Sequence, residues 1–362
     1  MKWTKKKVTN LFFIIGVVAV VVMLFTFDVS FVELWQHICR AGLWLIPIIG
    51  IWIIIYGFNA LSWLSIIRST TGDRKCVSFL RIYKLTISGY ALNYATPVGG
   101  LGGEPYRIME LSKNIGNQQA TSSVMLYVMM HFLAHFLFWF TSIFIYIGLA
   151  LNGHVPFTIA IDILLGLTAA VCLLAIYLFS RGYRNGMAYK LIRFLCKLPG
   201  LKRWGMRFLK RNGNALHNID NQIAALHKHN KKSFYYSLFM EFISRVVQSL
   251  EIMFMLLLFN LDNGGGTAGL LLTFLESVLI LAITTLCANI IGFLPMQLGV
   301  QEGGFVLSIA LLGLKDFFGM FVCIICRVRE ILWILIGLIL MKIDPKKSSH
   351  EIEAATNIVQ PE

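Results

Sequence analysis

The stretch Asn93-Tyr-Ala-Thr-Pro97-Val-Gly-Gly-Leu-Gly-Gly-Glu104-Pro-Tyr-Arg107 lies between strongly apolar segments, yet it cannot continue them as helix. Proline removes a backbone donor and glycine opens positive φ, so the chain must break here. A second stretch breaks in the same way: Asn289-Ile-Ile-Gly-Phe-Leu-Pro295-Met-Gln-Leu-Gly-Val-Gln-Glu302-Gly-Gly. Each has an asparagine, a proline, glycines, and a glutamate seven residues beyond the proline. In hydrocarbon an unpaired N–H or C=O costs several kcal/mol, so irregular backbone survives only when buried in protein or lining a polar cavity. Paired breaks of this kind point to a binding site between two halves of a transporter. The spacing therefore predicts two re-entrant hairpins that meet near a shared cavity. Two tight turns at the membrane surface are the plainer alternative.

The surroundings place these breaks in a membrane. Of 362 residues, 57% are hydrophobic and 14% charged, against about 25% charged in a soluble domain. Runs of about 20 apolar residues occur at 9–27, 42–67, 119–150, 155–180, 233–260, 267–292 and 317–341. The stretch 304–316 is short for a span and is expected to complete an extra crossing. The predicted fold is all-α and polytopic, with about seven or eight crossings and the two broken segments. Residues 1–345 form one transmembrane domain and 346–362 a tail. The net charge of +14 resembles that of a nucleic-acid binder, but most of this surface must face lipid, and no nucleic-acid partner is expected.

The cations set the orientation. Lys2, Lys5, Lys6 and Lys7 place the N-terminus in the cytoplasm of a bacterial-type inner membrane, as an uncleaved first span. The segment 181–232 carries 13 Lys/Arg against the single acid Asp220, and is expected to be cytoplasmic. Trp204, Phe208 and Leu209 among its cations suit a helix lying on anionic headgroups.

The candidate site follows from the breaks. Helix N-termini exposed there favour anions. Gly99, Gly100, Gly102 and Gly103 let a ligand approach the backbone, and Arg107 has the fork to clamp a phosphate. Glu104 and Glu302 suit an amine or a coupling proton, or else cap their own helices. Asn93, Pro97, Asn289, Pro295 and Gly299 complete the two stretches. Glu241, Arg245 and Gln248 form a polar stripe at i, i+4 and i+7, with Glu251 just off it, and a Glu–Arg pair there neutralises itself. Arg327, Arg329 and Glu330 either face the same cavity or mark a span boundary. His131 and His135, at i and i+4, favour interhelical hydrogen bonding over metal binding. The seven cysteines are scattered in apolar runs, and the Cys323/Cys326 pair has no second pair to make a metal site. No P-loop is present, and no cofactor is expected.

The series Asn93…Pro97-x-Gly-Gly-x-Gly-Gly-Glu104-x-x-Arg107, then Pro295-x-x-x-Gly299-x-x-Glu302-Gly-Gly, then Arg327 and Arg329, resembles the flippase-like transmembrane region of lysylphosphatidylglycerol synthases. The likeness runs from about residue 9 to 341, and the second stretch departs from the pattern at Met296-Gln297. It implies lipid translocation, with an anionic phospholipid or a polyprenyl-linked lipid as partner. In the family's bifunctional members an aminoacyl-transferase domain follows this region. Here the sequence ends about 20 residues after the last apolar run, so the synthase reaction is not expected. A non-enzymatic translocator leads; a membrane-embedded transferase acting on a lipid-linked substrate and a non-transporting scaffold are the alternatives.

Overall fold

The computed structural model describes residues 31–73, 75–95, 102–156, 159–185, 230–260, 263–290, 299–314 and 317–343, with a few positions between 10 and 18. Pro97, Gly99, Gly100, Pro295, most of the first apolar run, and the aromatic residues of the basic segment lie outside the described residues.

The described residues form helices, with no strand among them. In chain order these are α1 (Phe31–Ala41), a 3-10 turn, α2 (Leu45–Thr71), α3 (Phe79–Ala95), α4 (Glu104–Ile115) and α5 (Asn117–Leu151). Then come α6 (Ile159–Asn185), α7 (Lys231–Leu258), α8 (Gly266–Ile290), α9 (Val300–Leu311) and α10 (Phe317–Lys342). Four stretches are long and apolar enough to cross a membrane: Trp35–Thr71, Asn117–Leu151, Ile161–Phe179 and Gly266–Asn289. They answer to the expected runs 42–67, 119–150, 155–180 and 267–292. The runs at 233–260 and 317–341 are also single helices, of 28 and 26 residues. At 1.5 Å per residue these are about 42 and 39 Å long, more than the ~30 Å of a bilayer core. Of the stretch 304–316, residues 304–311 lie in the 12-residue α9, which at about 18 Å is too short to cross by itself.

Charged groups are buried while large apolar side chains face outward. Ile163, Leu164, Leu167, Leu174 and Leu178 on α6 are exposed, while Glu241, Glu251, Arg107 and Arg327 are buried. That distribution suits lipid as the solvent. Two large apolar cores divide the bundle, beside a smaller cluster of Trp52, Ile55, Tyr56, Ile87 and Trp333. One gathers Trp63, Leu85, Leu92, Leu111, Tyr127 and Leu133 from α2 to α5. The other gathers Phe138, Ile252, Met255, Ile280, Phe305 and Phe321 from α5 and α7 to α10. Long helices pass from one core to the other and carry their polar residues at the seam. On α5, Leu133 belongs to the first core, Phe138 to the second, and His135 lies between. On α10, Cys326 ends one contribution, Ile334 begins the other, and Arg327, Arg329 and Glu330 stand between them.

Helix pairs close with small polar residues rather than apolar knobs. Helix α7 packs most extensively on α2, where Ser62 and Ser65 meet Ser237 and Ser233 hydroxyl to hydroxyl at 2.7 and 2.6 Å. In lipid there is no hydrophobic drive between apolar faces, so close backbone approach and shared hydrogen bonds hold helices together. Glycine does the same at the first break. A Cβ on Gly103 would stand 2.0 Å from the Gly89 carbonyl oxygen, and one on Gly89 would stand 2.0 Å from Arg107 Nε. Gly103 is thus bare because α4 presses on the backbone of α3, a correction to its expected role in admitting a ligand. Gly102 is buried beside it.

Replacing Gly103 with alanine forces backbone apart, and overpacking of this kind costs about 1–3 kcal/mol. Thermal unfolding in detergent should show a lowered midpoint for Gly103→Ala. Gly50→Ala, where a Cβ meets nothing within 4 Å, should leave it unchanged or raised.

Candidate functional site

A polar cavity of about 170 Å³ opens in the seam between the two cores. The first broken stretch contributes Asn93, Glu104 and Arg107 to its wall, and the second contributes Asn289 and Gln301. Helix α7 adds Arg245, Gln248 and Glu251, α10 adds Arg329 and Glu330, and α5 adds His131 and His135. The shared cavity expected between the breaks is present. Glu302 and Arg327 stand behind its wall rather than in it.

The first stretch is tied into a unit. Gly103 N–H donates to Asn93 Oδ1 at 2.6 Å, and Asn93 Nδ2 donates to Glu104 Oε1 at 3.2 Å. Arg107 Nη1 donates to the same Glu104 oxygen at 2.8 Å, and its Nη2 donates to the Thr86 carbonyl at 3.1 Å. The guanidinium lies over Tyr90 at 4.8 Å and Tyr127 at 5.3 Å. Both terminal nitrogens of Arg107, expected to clamp a phosphate, are thus engaged inside the protein, its Nε has no partner among the described residues, and its side chain is 1% exposed. Glu104 Oε2 is left buried without a partner among the described residues.

The second stretch is built alike up to a point. Glu302, like Glu104, stands in the first turn of a 12-residue helix, and Gly299 supplies the positive φ (79°) at its start. Its arginine, however, comes from another helix. Arg327 donates from Nε and Nη2 to Glu302 Oε1 at 2.8 and 2.7 Å, and from Nη1 to Glu330 Oε2 at 2.7 Å. Asn289 takes no part, and donates to Thr285 O within its own helix at 2.8 Å.

The charges continue across the seam. Gln301 Nε2 donates to Glu330 Oε1 at 3.0 Å, and Arg329 Nη1 lies 3.6 Å from that same oxygen. Arg329 Nε donates to Glu251 Oε1 at 2.7 Å, Trp52 Nε1 donates to Glu251 Oε2 at 2.9 Å, and the guanidinium sits 4.1 Å over the Trp52 ring. Arg327 and Arg329 stand near the middle of α10, and Arg329 lines the cavity.

The α7 stripe, which from its spacing suits helix packing by a self-neutralising Glu–Arg pair about as well as a polar path, is arranged otherwise. Glu241 and Arg245 do not reach each other; both turn to His131. Its Nδ1 lies 2.8 Å from Glu241 Oε2, and Arg245 Nη2 lies 2.8 Å from its Nε2. Arg245 Nη1 donates to Gln248 Oε1 at 2.9 Å, and its Nε has no partner among the described residues. Among the charged residues of the wall, Arg245 is thus an arginine with no carboxylate in contact among the described residues. The signal available in the sequence was the polar spacing in an otherwise apolar helix. No group of three His, Cys, Asp or Glu placed to hold a metal occurs among the described residues.

Breaking a buried ion pair on one side costs about 3–5 kcal/mol, because the remaining charge is stranded, whereas replacing both members with apolar residues is often near neutral. Arg329→Met should therefore lower the unfolding midpoint in detergent sharply. Arg329→Met combined with Glu251→Met should recover most of the loss, and no recovery would mean that the two do not act as a pair.

The comparison with curated proteins returns no match, and neither does the comparison with solved structures. The family model described as the lysylphosphatidylglycerol synthase TM region matches residues 13–337. That match takes in both broken stretches, the α7 stripe and the charged middle of α10. The chain belongs to the lysylphosphatidylglycerol synthase TM region family, and so to membrane proteins whose function is tied to lipids.

Proposed function

We propose that the protein is a non-enzymatic lipid translocator of a bacterial-type inner membrane, with its N-terminus in the cytoplasm. An anionic phospholipid or polyprenyl-linked headgroup enters the seam cavity while its tails stay in the bilayer. The single observation that carries this reading is Arg245, a cavity-lining arginine near the middle of a 28-residue helix, with no carboxylate against it. A cation at that depth is costly unless something compensates it, and a phosphate does so with charge-assisted hydrogen bonds. Glu104 Oε2 and Gln301 Oε1, both buried without partners among the described residues, offer acceptors to the hydroxyl or amine groups of the same headgroup. The other arginines of the seam serve as fixed counter-charges that shape the wall.

The test is lipid scrambling in proteoliposomes with fluorescent phosphatidylglycerol, followed by quenching of the outer leaflet. The wild type should scramble, and Arg245→Gln should slow it at least about tenfold, as the loss of a charged hydrogen bond implies. Protein recovery and elution volume should be unchanged. Equal rates in both would remove Arg245 from the path and the reading with it.

A further inference from the structure

We infer that headgroup entry at Arg245 is coupled to proton uptake at the Glu241–His131 pair, so that the anion and a proton cross together. This rests on the cavity being the headgroup site proposed above, and it names what drives that site.

A guanidinium donates hydrogen bonds and accepts none. Arg245 Nη2 lies 2.8 Å from His131 Nε2 and 3.2 Å from Nδ1. A second proton on this ring would set two cations in contact, so the imidazole is neutral while Arg245 rests on it. Its one proton belongs on Nδ1, where Glu241 Oε2 accepts it at 2.8 Å. Arg245 on the ring and a second proton on the ring exclude each other. An anion that draws Arg245 into the cavity takes the cation off the ring and leaves the neutral imidazole beside a carboxylate and a newly bound negative charge.

The neighbours reinforce the exclusion. From α2, Asn59, with its amide turned to donate, reaches both Glu241 oxygens at 3.3 Å. From α3, the Tyr90 hydroxyl lies 3.2 Å from His131 Nδ1 and also 3.2 Å from the Tyr127 hydroxyl of α5. From α4, Arg107 lies over both of those tyrosine rings but is held by Glu104. His135 packs edge-on against His131 at 4.8 Å, and its Nδ1 donates to the His131 carbonyl at 2.9 Å. Helix α8 lines the cavity with Thr284, Thr285 and Asn289, which do not titrate, and α6 contributes nothing to the wall among the described residues. No other group facing His131 is an uncommitted cation.

Charge bookkeeping points the same way. Among the described residues the seam holds the carboxylates of Glu104, Glu241, Glu251, Glu302 and Glu330 against the guanidinium groups of Arg107, Arg245, Arg327 and Arg329. Acids already outnumber arginines, so an entering anion deepens the imbalance unless a proton accompanies it. The exchange is complete in itself. Arg245 leaves the ring, one proton passes from the water at the cavity mouth to the imidazole, and the imidazolium is held between Glu241 and the bound anion. On the far side the anion departs, the proton leaves the ring, and Arg245 returns. By linkage, the proton assists anion binding to the same extent that the anion assists proton binding.

Isothermal titration of the purified full chain with short-chain phosphatidylglycerol, in buffers of different ionisation heat, counts the protons taken up. The wild type should take up about one proton per lipid bound near pH 7, where a histidine can exchange. His131→Gln should still bind the lipid but take up close to none, and Glu276→Gln, a buried carboxylate away from the cavity, should behave as wild type. Lipid binding with no proton uptake by the wild type overturns this inference and leaves the headgroup site standing. No binding by folded wild-type protein overturns both. Uptake that persists in His131→Gln would move the proton elsewhere and overturn the assignment.

Discussion

Charge compensation in a medium that cannot solvate ions is the constraint on which the rest of the structure depends. The two apolar cores meet at a seam, and that seam is a chain of carboxylates and guanidinium groups running from Glu302 through Arg327, Glu330 and Arg329 to Glu251. Each member is held by a neighbour from another helix or another turn. Those pairings fix the rotation of α7, α9 and α10 about their axes more strictly than apolar contacts could, because a leucine finds lipid as acceptable as protein and a glutamate does not.

The same constraint sorts the charged groups into two kinds. Glu104 with Arg107, and Arg329 with Glu251, are carboxylate–guanidinium pairs whose members reach further to backbone or indole. They behave as structure. The cluster of Glu241, His131 and Arg245 is open, because an imidazole stands where a second carboxylate would close it. In the exchange proposed above, this is the cluster whose arrangement changes when a proton or an anion arrives.

The two broken stretches illustrate how similar local chemistry acquires different partners. Both place a first-turn glutamate on a 12-residue helix. In the first, asparagine, glutamate and arginine come from nearby positions and tie the break to itself, with Gly103 against Gly89 setting how close α4 comes to α3. In the second, Glu302 reaches across to α10 and Asn289 stays on its own helix. The likeness lies in the backbone signals, and the difference lies in what each break is packed against.

By itself the sequence determined the membrane setting, the helical class, the four most apolar spans and the positions of the breaks. Each follows from local composition, because hydrocarbon demands long apolar helices and proline with glycine ends them. It also placed Asn93, Glu104, Arg107 and Asn289 near one cavity, since paired breaks can be tolerated only around a polar interior. Which charge pairs with which was decided by the tertiary structure alone. Arg107 looked open because its partners, Glu104 and the Thr86 carbonyl, are ordinary neighbours until the fold closes them around it. Arg245 looked neutralised because Glu241 is one turn away, and only the packing of α5 against α7 brings His131 between them. Partner choice at a buried charge is a contest among groups within about 4 Å, and a sequence shows spacing along a helix but not what stands across from it.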